Sequence, residues 1–160
     1  MITDDGDIVR GIGFVSMYSA WVEDDIDNLL CVTAPIDPFD EKKQRWPISQ
    51  KLKHAAQLVE SLESPELEDL PDALMYGLSL FERRNEIIHG RIYSGFGKAD
   101  YLKSGRADVP VREISSAELY ELATEFFNYR GHLIGPKLFR LPRAVSLATR
   151  SAPNPDCIPE

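Results

Sequence analysis

The sequence is poor in residues that staple or anchor a chain. Its two cysteines, Cys31 and Cys157, lie far apart, which indicates neither a disulfide framework nor a zinc cluster. No apolar run nears the roughly 18 residues that a membrane span needs, so no membrane partner is expected. The opening Met1-Ile2-Thr3-Asp4-Asp5 is acidic and lacks the basic-then-apolar order of a secretion signal. A reducing cytoplasm is the expected location. Positive charge is also short: 18 basic residues stand against 26 acidic ones, a net charge of −8. A protein built to grip long duplex DNA would be basic on its binding face. Internal repeats and low-complexity tracts are absent.

What is present suits a globular helical protein. At 160 residues, 43% apolar and 28% charged, the chain has the material for one real core. In residues 8–33, Val15, Tyr18, Val22, Ile26 and Leu29 form one apolar stripe, widened by Phe14, Trp21 and Leu30. Glu23, Asp24, Asp25 and Asp27 on that helix read as a solvated face, because adjacent acids point in different directions. A loop with Pro35, Pro38 and Pro47 follows, then a helix over 48–63 with Leu52, Ala55, Ala56, Val59 and Leu62 inward. His54 lies beside this stripe without an obvious partner. Ser64-Pro65-Glu66 looks like a helix start, and the main third helix runs from about 71 to 89. Residues 91–113 lose the helical period. Their short apolar pieces, Ile92-Tyr93, Tyr101-Leu102 and Val109-Pro110-Val111, separated by Gly95, Gly97 and Gly105, predict a small hairpin. Ser115 and Glu118 form a capping box that opens a helix to about 134, where Gly135-Pro136 interrupts. The expectation is all-α: a four- to five-helix bundle over residues 1–140, with a hairpin-like insertion before the last long helix. A Pro-rich tail, 141–160, is expected to be loose or docked on a partner.

The third helix ends unusually. Leu74, Leu78 and Phe81 share one face, and steps of four carry that face on to Asn85 and His89. An amide and an imidazole then stand where apolar side chains belong. Burying such groups unpaired costs roughly 2–7 kcal/mol. Arg84, permanently charged, is adjacent, and Gly90 supplies a helix stop. Charge is skewed here too. From Arg83 to Arg112 the chain carries Arg83, Arg84, Arg91, Lys98, Lys103, Arg106 and Arg112 against Glu86, Asp100 and Asp108, which points to an anionic ligand or to an ordinary solvated loop.

Three chemistries compete for this stretch. Glu86-x-x-His89 has the spacing of di-iron bundles, but His54 and His132 follow Lys51 and Tyr129, so no second Glu-x-x-His exists and no metal or cofactor is expected. Alternatively Asn85 and His89 bond each other and close the helix end, with Arg84 paired to Glu82, Glu86 or an acid of the first helix. The third is phosphate chemistry: a histidine that moves protons and a guanidinium that stabilises a charged phosphorane. A helix C-terminus favours the protonated imidazolium. Arg84 and His89 stand about 140° apart round one helix, so two copies packed along it would complete a site better than one. Arg83 and Arg91 would then contact the RNA backbone.

Arg84-Asn85-Glu86-Ile87-Ile88-His89, followed by Gly90, resembles the R-x4-H signature, also written RNxxxH, of the HEPN superfamily. The resemblance plausibly covers residues 8–134. It implies an all-α bundle, often a homodimer, whose active members are metal-independent endoribonucleases in toxin–antitoxin, defence and RNA-processing systems. It assigns Arg84 and His89 catalytic roles at a dimer cleft and Asn85 a supporting one, and no other residues. A toxin of this kind would be covered by a protein antitoxin. Other members are non-catalytic interaction or nucleotide- and RNA-binding modules, which is the alternative reading. Members regulated by nucleotide modification carry a tyrosine two residues after the histidine; here Arg91 stands there, with Tyr93 two further on, so that regulation is not expected.

Overall fold

A computed structural model describes residues 3–94, 99–105 and 109–151. The chain is an all-α helical bundle with one small antiparallel sheet. Its elements run α1 (Ile8–Val32), α2 (Glu41–Gln44), α3 (Ile48–Ser61), a 3-10 turn (Pro65–Leu67), α4 (Leu70–Ile88), β1 (Arg91–Tyr93), β2 (Tyr101–Lys103), β3 (Arg112–Glu113), α5 (Ser116–Gly135), a π-helical turn (Pro136–Arg140) and α6 (Leu141–Ser151). Two compact units emerge, residues 1–24 with 76–131, and 25–75 with 132–160; α1, α4 and α5 each contribute to both.

In the first unit, Asp7 caps α1, its Oδ1 accepting from the Arg10 amide at 3.1 Å. Gly11 lets α1 approach α5 closely: a Cβ there would stand 2.8 Å from Leu119 Cβ. The core gathers Val15, Val22, Leu80, Phe81, Leu119, Leu122 and Phe126, with Phe81 and Phe126 edge to face at 5.2 Å. Ser115 caps α5 as expected, its Oγ accepting from the Glu118 amide. Buried Tyr129 is an exception to good pairing. Its hydroxyl has no hydrogen-bond partner among the described residues, and burial pushes its phenol pKa up. The insertion has three strands rather than two, in the order β1-β2-β3, pairing Arg91 with Lys103, Tyr93 with Tyr101, and Tyr101 with Glu113. Val109-Pro110-Val111 lies just outside the third strand. The expected turn at Gly95 and Gly97 falls outside the described residues.

In the second unit, Ile26, Leu29, Leu52, Val59, Leu67, Leu70, Leu74 and Leu141 are buried. The expected solvated acids of α1 are partly internal. Asp25 is 3% exposed and pairs with Lys137, while Asp27 pairs with buried Lys51, 2.6 Å from Nζ to Oδ1. The two acids flank the stripe on opposite sides, and each is covered by a lysine from another helical segment. His54 has a partner after all: its Nε2 lies 2.7 Å from Asp37 Oδ2, with Trp46 edge-on at 5.2 Å.

The expected loose tail is helical through Ser151. Pro136 does not end the helix. It lacks an N–H and crowds the preceding turn, and the chain widens into a π-turn in which the Leu141 amide donates to the Pro136 carbonyl. Pro142 then lies at the second residue of α6, just past the π-turn. Leu141, Ala144 and Val145 turn inward. Arg140 reaches the Glu66 carbonyl and Asp69 Oδ1, each at 2.8 Å. The rest of the tail, from 152, lies outside the described residues.

Two expectations follow from this packing. Tyr129→Phe removes an unpartnered hydroxyl and should raise stability by about 1 kcal/mol in urea unfolding; a loss instead would show that the hydroxyl has a partner in solution. The second concerns acid. The Lys43 ammonium, then His54, hold Asp37 below its ordinary value of 3.8. A carboxyl depressed on folding stabilises above its unfolded pKa, and that stability is lost as pH falls through the lower folded value. Melting temperature should therefore fall as pH drops below about 4, and Asp37→Asn should flatten that limb.

Candidate functional site

The end of α4 is set by its seam. Leu70, Leu74, Gly77 and Phe81 are buried, a four-three alternation that repeats every seven residues and leads next to Arg84, with Ile87 buried beyond it. Steps of four from Phe81 to Asn85 and His89 drift off this line. The structure accordingly leaves Asn85 half-buried and His89 exposed. The polar group that interrupts the seam is Arg84.

Arg84 is half-buried, and its Nε is fully covered and without a hydrogen-bond partner among the described residues. Its Nη1 donates to Asn85 Oδ1 at 2.9 Å. Neither expected alternative holds: among the described residues Arg84 pairs with no carboxylate, and Asn85 bonds Arg84 rather than His89. The neighbouring cations differ. Arg83 donates from Nη1 to both oxygens of Glu125, at 2.7 and 2.8 Å, and Tyr76 adds its hydroxyl to the same carboxylate at 3.1 Å. Arg83 is thus committed to α5, which weakens its expected role as an RNA contact. Arg112 takes up both nearby acids, Glu86 Oε1 at 3.0 Å and Glu118 at 2.7 and 2.9 Å. These hydrogen bonds hold the Arg112 guanidinium even more firmly protonated than usual. Glu86, the acid inside the motif, is therefore neutralised by Arg112 and not by Arg84. The sequence pattern carried no signal for that partner 26 residues away.

His89 closes the helix. Its amide donates to the Asn85 carbonyl at 3.1 Å, and the Gly90 amide donates to the Ile87 carbonyl at 3.2 Å. Gly90 stops the helix for a different reason than expected. Its φ is not positive; instead a Cβ there would meet Leu102 Cδ1 at 2.5 Å and the Glu86 carbonyl at 2.6 Å. Buried Leu102 of β2 thus seats directly on Gly90 and fixes the sheet against the motif. Arg91 starts β1, exposed and without an acid partner among the described residues.

The structure brings Arg84 and Asn85 into contact, and places His89 and Arg91 at the surface on the following residues. The helix end therefore carries a pinned guanidinium with no carboxylate partner among the described residues and, on another face, an exposed imidazole followed by a second exposed cation. Among the described residues no group of three or more His, Cys, Asp or Glu side chains is placed to hold a metal ion. No described helix is long and apolar enough to cross a membrane. A cavity of about 380 Å³ lies elsewhere, in the second unit, lined by Val59, Glu60, Glu63, Leu67, Glu68 and Pro71. Its three carboxylates and lack of cations make it a poor phosphate site.

Gly90→Ala should destabilise the protein by about 1–3 kcal/mol, because neither Leu102 nor the Glu86 carbonyl can yield cheaply. Chemical denaturation measures this, and a neutral substitution would refute the close seat. Arg112→Ala should cost about 1–2 kcal/mol, allowing for solvent screening at a partly exposed network, and Glu86→Gln should recover part of it. Compared with family models, curated proteins and solved structures, the chain matches none of them.

Proposed function

We propose that the protein is a metal-independent endoribonuclease of HEPN type that cuts RNA by attack of a 2′-hydroxyl on its own 3′-phosphate. The observation that carries this reading is Arg84: a guanidinium pinned by Asn85, with no carboxylate partner among the described residues, at the end of a helix that presents His89. A half-buried cation with a covered, unpartnered Nε is costly unless an anion completes it, and a phosphate oxygen is the anion such a fork fits.

The chemistry then divides among the chain's own groups. His89 takes the proton of the 2′-hydroxyl or supplies one to the departing 5′-oxygen. The 2′-oxygen bonds to phosphorus, the bond to the 5′-oxygen breaks, and the products are a 2′,3′-cyclic phosphate and a 5′-hydroxyl. Arg84 donates to the phosphoryl oxygens as their charge grows, and Asn85 spends its Oδ1 holding Arg84 in place. Arg91, exposed at the start of β1, meets the RNA backbone. Since Arg84 and His89 diverge by about 140° on one helix, the complete site belongs to a homodimer in which one copy's arginine works with the other's histidine. An exposed aromatic cluster supports such pairing. Trp21 and Phe127 are 41% and 50% exposed, and both contact Tyr18, with ring centroids 5.1 and 5.5 Å away. A second copy would shield these rings from water.

The test is cleavage of a mixed RNA in chelator by wild type, Arg84→Ala and His89→Ala. The expected result is cyclic-phosphate ends from wild type, unchanged by chelator. His89→Ala should lower the rate by about 10²–10⁴-fold and Arg84→Ala by about 10²-fold, with both variants folded. Mixing the two inactive variants should restore partial cleavage through heterodimers. A folded, dimeric wild type that leaves RNA intact would sink the enzyme reading and favour a non-catalytic nucleotide- or RNA-binding module.

A further inference from the structure

The outward face of the small sheet carries a pattern that folding alone does not explain. Along β1 and β2 the inward residues are half-buried Ile92 and fully buried Leu102, which pair with each other. The outward residues are Arg91, Tyr93, Tyr101 and Lys103, all exposed. Register sets Arg91 directly opposite Lys103 and Tyr93 directly opposite Tyr101. Like charges facing across a strand pair repel and destabilise it. Neither cation has an acid partner among the described residues, although the outward acid Glu113 stands opposite Tyr101 on β3. The two tyrosine rings lie stacked, with centroids 5.2 Å apart and planes 16° from parallel, and each residue is 39% exposed. The sheet's outward face therefore carries two exposed cations with no acid partner among the described residues, flanking two part-exposed tyrosines stacked on each other.

We propose that this face is a binding platform for single-stranded RNA. Flat aromatic rings offer stacking surface to unpaired bases of any sequence, and flanking cations take the phosphates. The rise between outward residues, about 6.6 Å for two strand positions, spaces ring from cation along each strand on the scale of one extended nucleotide. Placement adds to the case. Arg91 follows His89 by two residues, and Leu102, on the sheet's other face, is locked onto Gly90. The platform is thus rigidly tied to the helix end that bears the histidine. This inference rests on the ribonuclease reading for its ligand and adds the surface that would hold the strand beside the scissile phosphate.

The experiment measures binding without cleavage. A fluorescently labelled, mixed-sequence single-stranded RNA with every 2′-hydroxyl methylated lacks the nucleophile, so it binds and cannot be cut. Anisotropy titrations compare the full-length wild type with Tyr93→Leu/Tyr101→Leu, Tyr93→Phe/Tyr101→Phe and Arg91→Gln/Lys103→Gln. The leucine pair should bind at least about tenfold more weakly, and the phenylalanine pair should bind like wild type, since the ring face is what counts. The glutamine pair should reduce the dependence of log K on log salt by about 1.4, the share of two phosphate contacts on a single strand, and should melt no lower than wild type because it removes a like-charge pair. Annealing the probe to its complement should weaken binding, since its bases are then hidden. Equal affinity of wild type and the leucine pair, equal affinity for duplex, or no binding by wild type would each overturn the platform. A wild type that binds through these residues yet never cuts natural RNA would keep the platform and sink the enzyme reading. Cleavage with binding untouched by the leucine pair would do the reverse.

Discussion

The candidate site depends on one constraint, the admission of a guanidinium into the seam of α4. The four-three alternation that buries Leu70, Leu74, Gly77 and Phe81 delivers position 84 to the covered side of the helix. An arginine there must keep its stem in the packing and find partners for its head. Asn85 is the only partner it has among the described residues, and its Nε has none. The neighbouring features follow in order. With the seam spent on Arg84 and Ile87, His89 swings out to solvent, and Gly90 makes room for Leu102. The seat of Leu102 in turn orients the sheet, so that Arg91, Tyr93, Tyr101 and Lys103 face outward together.

Charge is partitioned with the same economy. The chain is acidic overall, yet three acids near the motif are matched: Glu86 and Glu118 by Arg112, and Glu125 by Arg83. Each of these pairs is partly exposed, so each adds only modestly to stability. Their consequence is local. They withdraw carboxylates from the surroundings of Arg84, and they use up cations that sequence alone offered equally as ligand contacts. Among the described residues near the motif, Arg84, Arg91 and Lys103 have no acid partner. A net charge of −8 is therefore compatible with an anion-binding face, because net charge governs the long-range field and pairing governs what a bound phosphate meets at contact distance.

Much of the helical framework was legible because it rests on periodicity over long segments. The α3 stripe, most of the α1 stripe and the Ser115 cap stand where the pattern puts them, although Trp21, placed on the α1 stripe's edge, is 41% exposed. The misreadings share one cause, which is that a local signal was carried past its range. Gly135-Pro136 predicts an interruption and the prolines beyond it a loose tail, yet Pro136 is absorbed by a π-turn and Pro142 lies inside the helix of residues 141–151. Steps of four were run from Phe81 to His89, although the buried line of α4 follows sevens. The partners of Asp25, Asp27, His54 and Glu86 are 112, 24, 17 and 26 residues distant, beyond anything a one-chain pattern encodes. The motif residues themselves were legible as chemistry. Their division of labour, with Arg84 inside and His89 outside, was not.

That division bears on why the proposed enzyme would need two copies. In a single chain the arginine is fixed by packing and by Asn85, while the imidazole projects from the last turn with no side-chain partner among the described residues to aim it. A general acid–base contributes only when held within hydrogen-bond reach of the proton it moves. An exposed histidine on a helix end meets that condition poorly until something covers it. Bound RNA and a second copy are the two agents available, and they act in different ways. RNA lying on the outward face of the sheet would position its phosphate relative to Arg91. A second copy would supply a guanidinium from a direction that its own helix cannot reach, and would exclude water from both. On the proposed reading a single copy would be incomplete by its helix geometry: the pinned cation and the exposed imidazole occupy one helix end but different faces, and symmetry is the least costly way to bring such faces together.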